Sequence, residues 1–253
     1  MSTENRLKSC LVLGGEYRLF DTSGGSIRKF ADINQLDIYC HLWSTDPKEI
    51  DNVKEVLQPK RMLAENPLHY KPIFLGIEER IKSKNPKGPN QDKLWQNASM
   101  HFSRKRAFDL VQEEYEFCYF SRYDVLLGEF KIKGNVVGVI TPKEQSYNLI
   151  SDIFAVFPFS VAQHYFLYDV YEKLHSTPFE ESFVKYLKNV IYRGDDESFK
   201  IHMEQRYCPH VVLLRNLFLH SVPCVLLDIP VFLLRVFTLN EKSQELYSSL
   251  GIE

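Results

Sequence analysis

Apolar and polar positions alternate along this chain in short blocks, and the block lengths predict strands interleaved with helices. Residues 10–13 are an unbroken apolar run that stops at Gly14 and Gly15, the pattern of a buried strand ending in a tight turn. Residues 26–30 read as part of a helix, with Asp21, Thr22 or Ser23 as its N-cap. A second apolar block, 36–43, follows as a strand. Strand, helix, strand at this spacing is a βαβ unit, which predicts a parallel sheet. Further on, 48–57 reads as a helix and 59–63 as a short strand. The region 46–92 carries Pro47, Pro59, Pro67, Pro72, Pro86 and Pro89. Within and just beyond it, 82–93 is polar and Pro-bounded, and reads as a mobile surface loop that closes over a ligand.

Helical spacing returns over 94–114, where Met100, Ala107, Leu110 and Val111 share a face. Residues 117–127 begin as an aromatic strand, and 136–140 and 153–157 are further strands. Residues 161–174 and 180–190 read as helices, and 211–214 as a late strand. The alternation predicts an α/β fold: one Rossmann-type domain over 1–253 with a mostly parallel central sheet flanked by helices, and 238–253 as a C-terminal tail.

Composition narrows the function classes. The chain is 44% hydrophobic and 25% charged, which predicts a sizeable core rather than disorder. A formal net charge of −2 supplies no general field for nucleic acid. The cluster Arg104, Lys105, Arg106 is too short to change that, and reads as a local anion site or a solvated helix face. Five cysteines form no CxxC pair, which fits a reducing compartment better than a disulfide framework or a structural zinc site. The most apolar stretch, 211–237, is interrupted by Arg215, His220, Asp228 and Arg235, whereas a membrane span needs about 20 nearly uncharged residues. With no signal-peptide core at the N-terminus, these features predict a cytoplasmic protein whose contact with membranes, if any, is peripheral.

Candidate chemistry falls at four places. Gly14, Gly15 and Arg18 follow the first strand, where open α/β sheets bind ligands; glycines there let backbone approach a phosphate, and an arginine can pair with it bidentately. Asp37, Tyr39, His41 and Trp43 share one face of the second strand, a polar and aromatic face that suits a binding edge poorly covered by helices. Arg122 and Asp124 interrupt an apolar strand, where unpaired charge is costly. Asp124 could there bind Mg²⁺ or Mn²⁺ through oxygen, with a diphosphate completing the shell and Arg122 adding charge. Asp152, Glu180 and Glu181 are carboxylates able to take a proton from an attacking hydroxyl. Each place also has a plainer account: a tight turn with a surface arginine, an edge strand with a satisfied histidine, an internal Arg122–Asp124 pair, and acids serving a helix start. No GxxxxGK[ST] loop, strand-following GxGxxG or GxSxG elbow occurs, which argues against P-loop NTPases, dinucleotide enzymes and α/β-hydrolases.

The order of these blocks resembles a known group. A glycine turn with Tyr17, Arg18 and Phe20 is followed by the strand from Asp37 to Trp43. A helix with Ser99, Ser103 and Lys105 then leads to Arg122-Tyr-Asp124; Asp152, a Glu-led helix and Arg215 close the series. Over roughly 7–215 this is similar to small glycosyltransferase-like proteins of bacterial and viral surface-polysaccharide gene clusters, related to the WavE lipopolysaccharide-synthesis proteins. The resemblance implies a GT-A-like fold that takes a sugar from a nucleotide-sugar donor to a glycan acceptor, usually with a divalent cation. It implies donor contacts at Gly14, Gly15, Arg18, Asp37, His41, Lys105, Arg122 and Asp124, with Asp124 as the metal ligand. Asp152 and Glu181 would lie on the acceptor side, one of them as the base of an inverting transfer. Arg122 stands where that group's Asp-x-Asp motif has its first acid, which bears on metal dependence and keeps open a non-catalytic nucleotide- or glycan-binding module.

Overall fold

A computed structural model describes residues 8–84, 94–131, 136, 138–142, 152–191, 197, 199, 209–227 and 231–233. The first strand, β1 (Ser9–Glu16), alternates its side chains between two cores. Cys10 and Val12 enter one cluster with Tyr39, Phe74, Ala98, Cys118 and Phe120. Leu11 and Leu13 enter the other with Ile27, Phe30, Ile38, Cys40, Val53 and Leu57. Helices α1 (Phe20–Asn34) and α2 (Pro47–Leu57) supply the second cluster, so they cover one face of the sheet. Helices α3 (Pro67–Lys84) and α4 (Leu94–Asp109) supply the first and cover the other face.

Strands β2 (Leu36–Trp43), β3 (Arg61–Glu65) and β4 (Phe117–Ser121) run parallel to β1. Strand β5 (Val125–Leu127) leaves this layer and pairs with β9 (Val231–Leu233). The main sheet is completed by β6 (Val139–Pro142), β7 (Phe154–Pro158) and β8 (Cys224–Leu227), in the seven-stranded order β3-β2-β1-β4-β7-β6-β8. Only β7 is reversed, antiparallel to both β4 and β6. The expected mixed α/β architecture with a mostly parallel sheet is thus present. Short helices α5 (Ala162–Tyr165), α6 (Tyr168–Ser176) and α7 (Glu181–Tyr186) follow β7, and α8 (Pro209–Leu219) precedes β8. No helix among the described residues is long and apolar enough to cross a membrane.

Several local expectations change. β1 runs through Gly14 and Gly15 rather than ending before them. α1 starts at Phe20, so Asp21, Thr22 and Ser23 lie in its first turn, and Ser23 returns its hydroxyl to the carbonyl of Leu19. The block 211–214 is helical: Val211 through Leu217 are buried in α8, Arg215 and Asn216 among them, and a short apolar run cannot be told from a strand by periodicity. Residues 82–84 end α3, while 85–93 and 238–253 lie outside the described residues.

Candidate functional site at the carboxyl end of the sheet

The chain leaves β1 toward β2 on one side, and β4 lies on the other. The crossovers therefore diverge between β1 and β4, and the crevice beyond the carboxyl ends of those two strands is where open α/β sheets receive ligands. Gly15 is the penultimate residue of β1 and takes φ +147°, a conformation that L side chains rarely adopt, although only Tyr123 lies nearby, at 4.0 Å. Three residues on, Arg18 takes the left-handed φ of 42°. For a side chain as long as arginine's this costs on the order of 1 kcal/mol, and such strain gathers where the chain must aim a group. It aims the guanidinium across to the end of β4, where Arg18 Nη1 donates to Asp124 Oδ2 at 3.0 Å and Nε to Glu16 Oε2 at 3.0 Å.

Arg122 grips the same carboxylate from its own strand end, Nε to Oδ1 at 2.8 Å and Nη2 to Oδ2 at 2.5 Å. Asp124 is 5% exposed at its side chain, against 17% for Arg122 and 50% for Arg18. The carboxylate thus forms the floor and the two guanidinium groups the rim. The turn is fixed from below: Ser23 Oγ donates to the carbonyl of Tyr123, the Tyr123 ring packs edge-on against Phe20, and its hydroxyl donates to the carbonyl of His41.

Beneath lies a second ion pair. Arg104, 1% exposed, donates Nη2 to the carbonyl of Asp152 at 2.7 Å and to its Oδ2 at 3.1 Å, with its guanidinium over the Phe120 ring. His210 Nε2 lies 3.8 Å from the other Asp152 oxygen. Burial alone would raise the Asp152 carboxyl, but electrostatic interaction with His210, Arg104 and Arg122 outweighs it and holds the group well below the usual carboxylate range. A carboxylate so stabilised is a weak proton acceptor at neutral pH; it can orient a hydroxyl or balance charge.

The structure therefore brings Gly15, Arg18, Arg122 and Asp124 together, with Asp152 beneath within the field of Arg122. Other expected positions fall elsewhere. Gly14 is next to the cluster, but a Cβ there would meet Arg104 N and Ser103 O at 2.9 Å, so its lack of a side chain serves the packing of α4 on β1. Asp37 lies at the amino end of β2, where it accepts from Tyr115 Oη at 2.6 Å and Lys60 Nζ at 3.1 Å; it is removed from the crevice by the length of the strand. His41 is in register with Gly14 yet fully buried under α4, its Nδ1 2.7 Å from Ser103 Oγ and its Nε2 2.9 Å from Glu65 Oε2. Burial pushes its pKa down to about 4 despite Glu65, so the imidazole is a neutral packing element. The face holding Tyr39, His41 and Trp43 is covered by helices, not open. Lys105 pairs with Asp109 and Asp169, away from the cluster. Glu181 opens α7 beside the Glu180–Arg215 pair, in the first turn where an acid meets the helix dipole.

The sequence does not single out Glu16, and it marks Arg104 only within the cluster 104–106, read as a local anion site or a solvated helix face. Arg104 could have been singled out: it is spaced i+4 from Met100 and i−3 from Ala107, on the apolar face of α4, so its charge had to find a buried partner.

A divalent cation shared with a diphosphate takes one or two carboxylates from the protein and fills the rest of its shell with phosphate oxygens and water. Both Asp124 oxygens are engaged by guanidinium groups, and among the described residues no three His, Cys, Asp or Glu side chains are grouped to hold a metal. Among the described residues, Asp124 thus has no oxygen free of a guanidinium to offer such an ion.

Fold and site together define a mixed α/β fold in which two arginines surround one buried carboxylate at the carboxyl end of the sheet. No family model matches the chain, and no curated protein matches it either. Among solved structures it is similar to the apo form of mouse xyloside xylosyltransferase 1, at 9% identity and a TM-score of 0.42, over 87% of this chain and 84% of that one.

Proposed function

We propose that this chain is a glycosyltransferase that binds a nucleotide-sugar at the crevice between β1 and β4 and moves the sugar to a glycan acceptor. The observation that carries the reading is the convergence of Gly15, Arg18, Arg122 and Asp124, from two separate strand ends, on the switch point of the sheet. A nucleoside diphosphate suits that place: the 15–18 turn lets the nucleotide approach backbone, and the guanidinium groups face the phosphates. In the transfer, the acceptor hydroxyl oxygen bonds to the anomeric carbon as the carbon–oxygen bond to the diphosphate breaks. The nucleoside diphosphate leaves with the electron pair, and fixed cations at the leaving oxygen lower the barrier. The proton of the acceptor passes to a base or to solvent.

Asp152 and Glu181 remain the candidate acids on the acceptor side. The lowered basicity of Asp152 suits it to orienting the acceptor hydroxyl. The Mn²⁺ or Mg²⁺ implied by the resemblance enters no step here, because Asp124 has no oxygen free of a guanidinium to offer it. The surface-polysaccharide setting of the WavE-like group makes a membrane-associated glycan the acceptor to assay.

One observation favours a second reading, a binding module without turnover: the carboxylate beneath the arginines is an internal counter-ion to Arg104 rather than a free base. Thermal-shift measurements with nucleoside diphosphates and nucleotide-sugars separate the possibilities. Stabilisation by one nucleotide family that is lost in Arg122→Ala, with sugar transfer by the wild type, supports the transferase. Stabilisation without transfer or donor hydrolysis supports the binding module. No stabilisation by any nucleotide refutes both.

A further inference from the structure

We infer that Asp124 is an exchangeable internal counter-ion, and that Arg18 and Arg122 release it to hold a diphosphate, so that two guanidinium groups do here the work of a divalent cation. The inference rests on the nucleotide-sugar reading for the identity of the ligand, but its chemistry is that of the site alone.

Three features lead to it. Asp124 is bound by two arginines from different segments, one on each side, and each of its oxygens receives at least one N–H. A carboxylate saturated in this way is a poor metal ligand, because a cation would have to displace two like charges to reach it. The arginines, in contrast, are the outward members of the group: Arg18 is half exposed, and its backbone is held in a left-handed conformation that keeps it at the mouth of the crevice. Each phosphate of a diphosphate offers a guanidinium a pair of oxygens to grip at two points, as a carboxylate does, with more negative charge, so both guanidinium groups can pass from one anion to the other without leaving the site.

Asp124 then has two effects on the free protein. It fixes the two arginines at the crevice before ligand arrives, and it competes with the ligand for them. Arg122 also lies within the electrostatic field of Asp152. The two accounts of Asp124 predict opposite signs for one substitution. A metal ligand changed to Asn loses affinity for the metal-bound nucleotide. A competing counter-ion changed to Asn, which keeps its shape and one acceptor oxygen, gains affinity for the anion.

The test is titration calorimetry of the full chain with inorganic pyrophosphate and with nucleoside diphosphates, each in EDTA and in Mn²⁺. The expected result is binding in EDTA, weakening as KCl is raised, unchanged in enthalpy and affinity by Mn²⁺ beyond its own complexation of the ligand. Asp124→Asn is expected to tighten it by about threefold to tenfold, a fraction of a charge-assisted pair in a partly exposed place. Arg122→Gln is expected to weaken it by about tenfold or more. Should Asp124→Asn fail to fold, wild-type binding in EDTA and its loss in Arg122→Gln decide the matter. Pyrophosphate binding in EDTA with no preference for any nucleoside would uphold the exchange and overturn the nucleotide-sugar reading. Nucleotide binding that requires Mn²⁺ and vanishes in Asp124→Asn would overturn the exchange and leave that reading standing. No binding of either anion in EDTA or Mn²⁺ would overturn the exchange.

Discussion

Replacing Gly14 with alanine separates the two uses a glycine can have at the end of β1. The new Cβ would lie 2.9 Å from Ser103 O and Arg104 N and 3.0 Å from Arg104 Cα, all backbone atoms of α4. Ordinary contacts of that kind begin near 3.4 Å, so the helix must retreat by about half an ångström. The same turn of α4 carries Ser103, bonded to His41, and Arg104, paired with Asp152. Overpacking of a dense core costs about 1–3 kcal/mol. The stiffer unfolded chain returns about 0.4–1 kcal/mol. The net expectation is a loss of roughly 1–2 kcal/mol, read as a lower urea midpoint at unchanged slope. Gly25→Ala in α1, where a Cβ meets nothing within 4 Å, serves as the control and should stabilise slightly. If Gly14→Ala keeps wild-type stability while nucleotide binding collapses, the glycine serves a ligand and the packing argument is refuted.

Two further outcomes follow from buried charge. Asp152→Asn leaves Arg104 ionised with no anionic partner, and should cost about 3–5 kcal/mol in urea unfolding; a change below about 1 kcal/mol would show that Arg104 finds compensation elsewhere. The second is a dependence on pH. His41 has its pKa lowered to about 4, by burial above all, so its neutral form stabilises the fold fully above the usual histidine range near 6.5 and loses that contribution as pH falls toward 4. Glu65 is lowered to about 2: burial opposes the shift, and hydrogen bonds from Arg106, Tyr70 and His41 overcome it. Its contribution is present above the usual glutamate value near 4.5 and is lost as pH falls through 2. Unfolding free energy should therefore decline continuously below about pH 6.5, by at most about 3 kcal/mol from His41. A flat profile between pH 7 and 4, or one unchanged in His41→Gln, would contradict this.

Much of the sheet was legible because its signals are local. Residues 36–43 have the bounds of β2, and the helix expected over 48–57 is α2, which starts one residue earlier at Pro47 behind the N-cap Asp46. Arg122 and Asp124 stand out because charge interrupts an apolar strand only where something answers it, and Arg18 because it follows glycines at a strand end. What could not be read depends on packing across the chain. Alternation showed that Tyr39, His41 and Trp43 share a face, but not that α3 and α4 cover it. α3 was hidden by its prolines, since Pro72 lies inside a helix whose buried Phe74, Ile77 and Ile81 carry it. The apolar run of α8 fits strand and helix alike. Nothing in the 117–127 run revealed that it divides after Ser121, with Val125–Leu127 joining a second sheet. Gly14 and Gly15 looked alike in sequence, yet one is fixed by a neighbouring helix and the other by its own backbone angle.

Hydrogen exchange read by mass spectrometry, with and without a saturating nucleoside diphosphate, reports where on the sheet the ligand acts. Binding at the crevice slows exchange in peptides spanning 14–20 and 121–125, the two strand ends that meet at Arg18, Arg122 and Asp124. Unchanged exchange in both segments, with protection instead around Asp37, Lys60 and Tyr115 at the opposite end of the sheet, would contradict it.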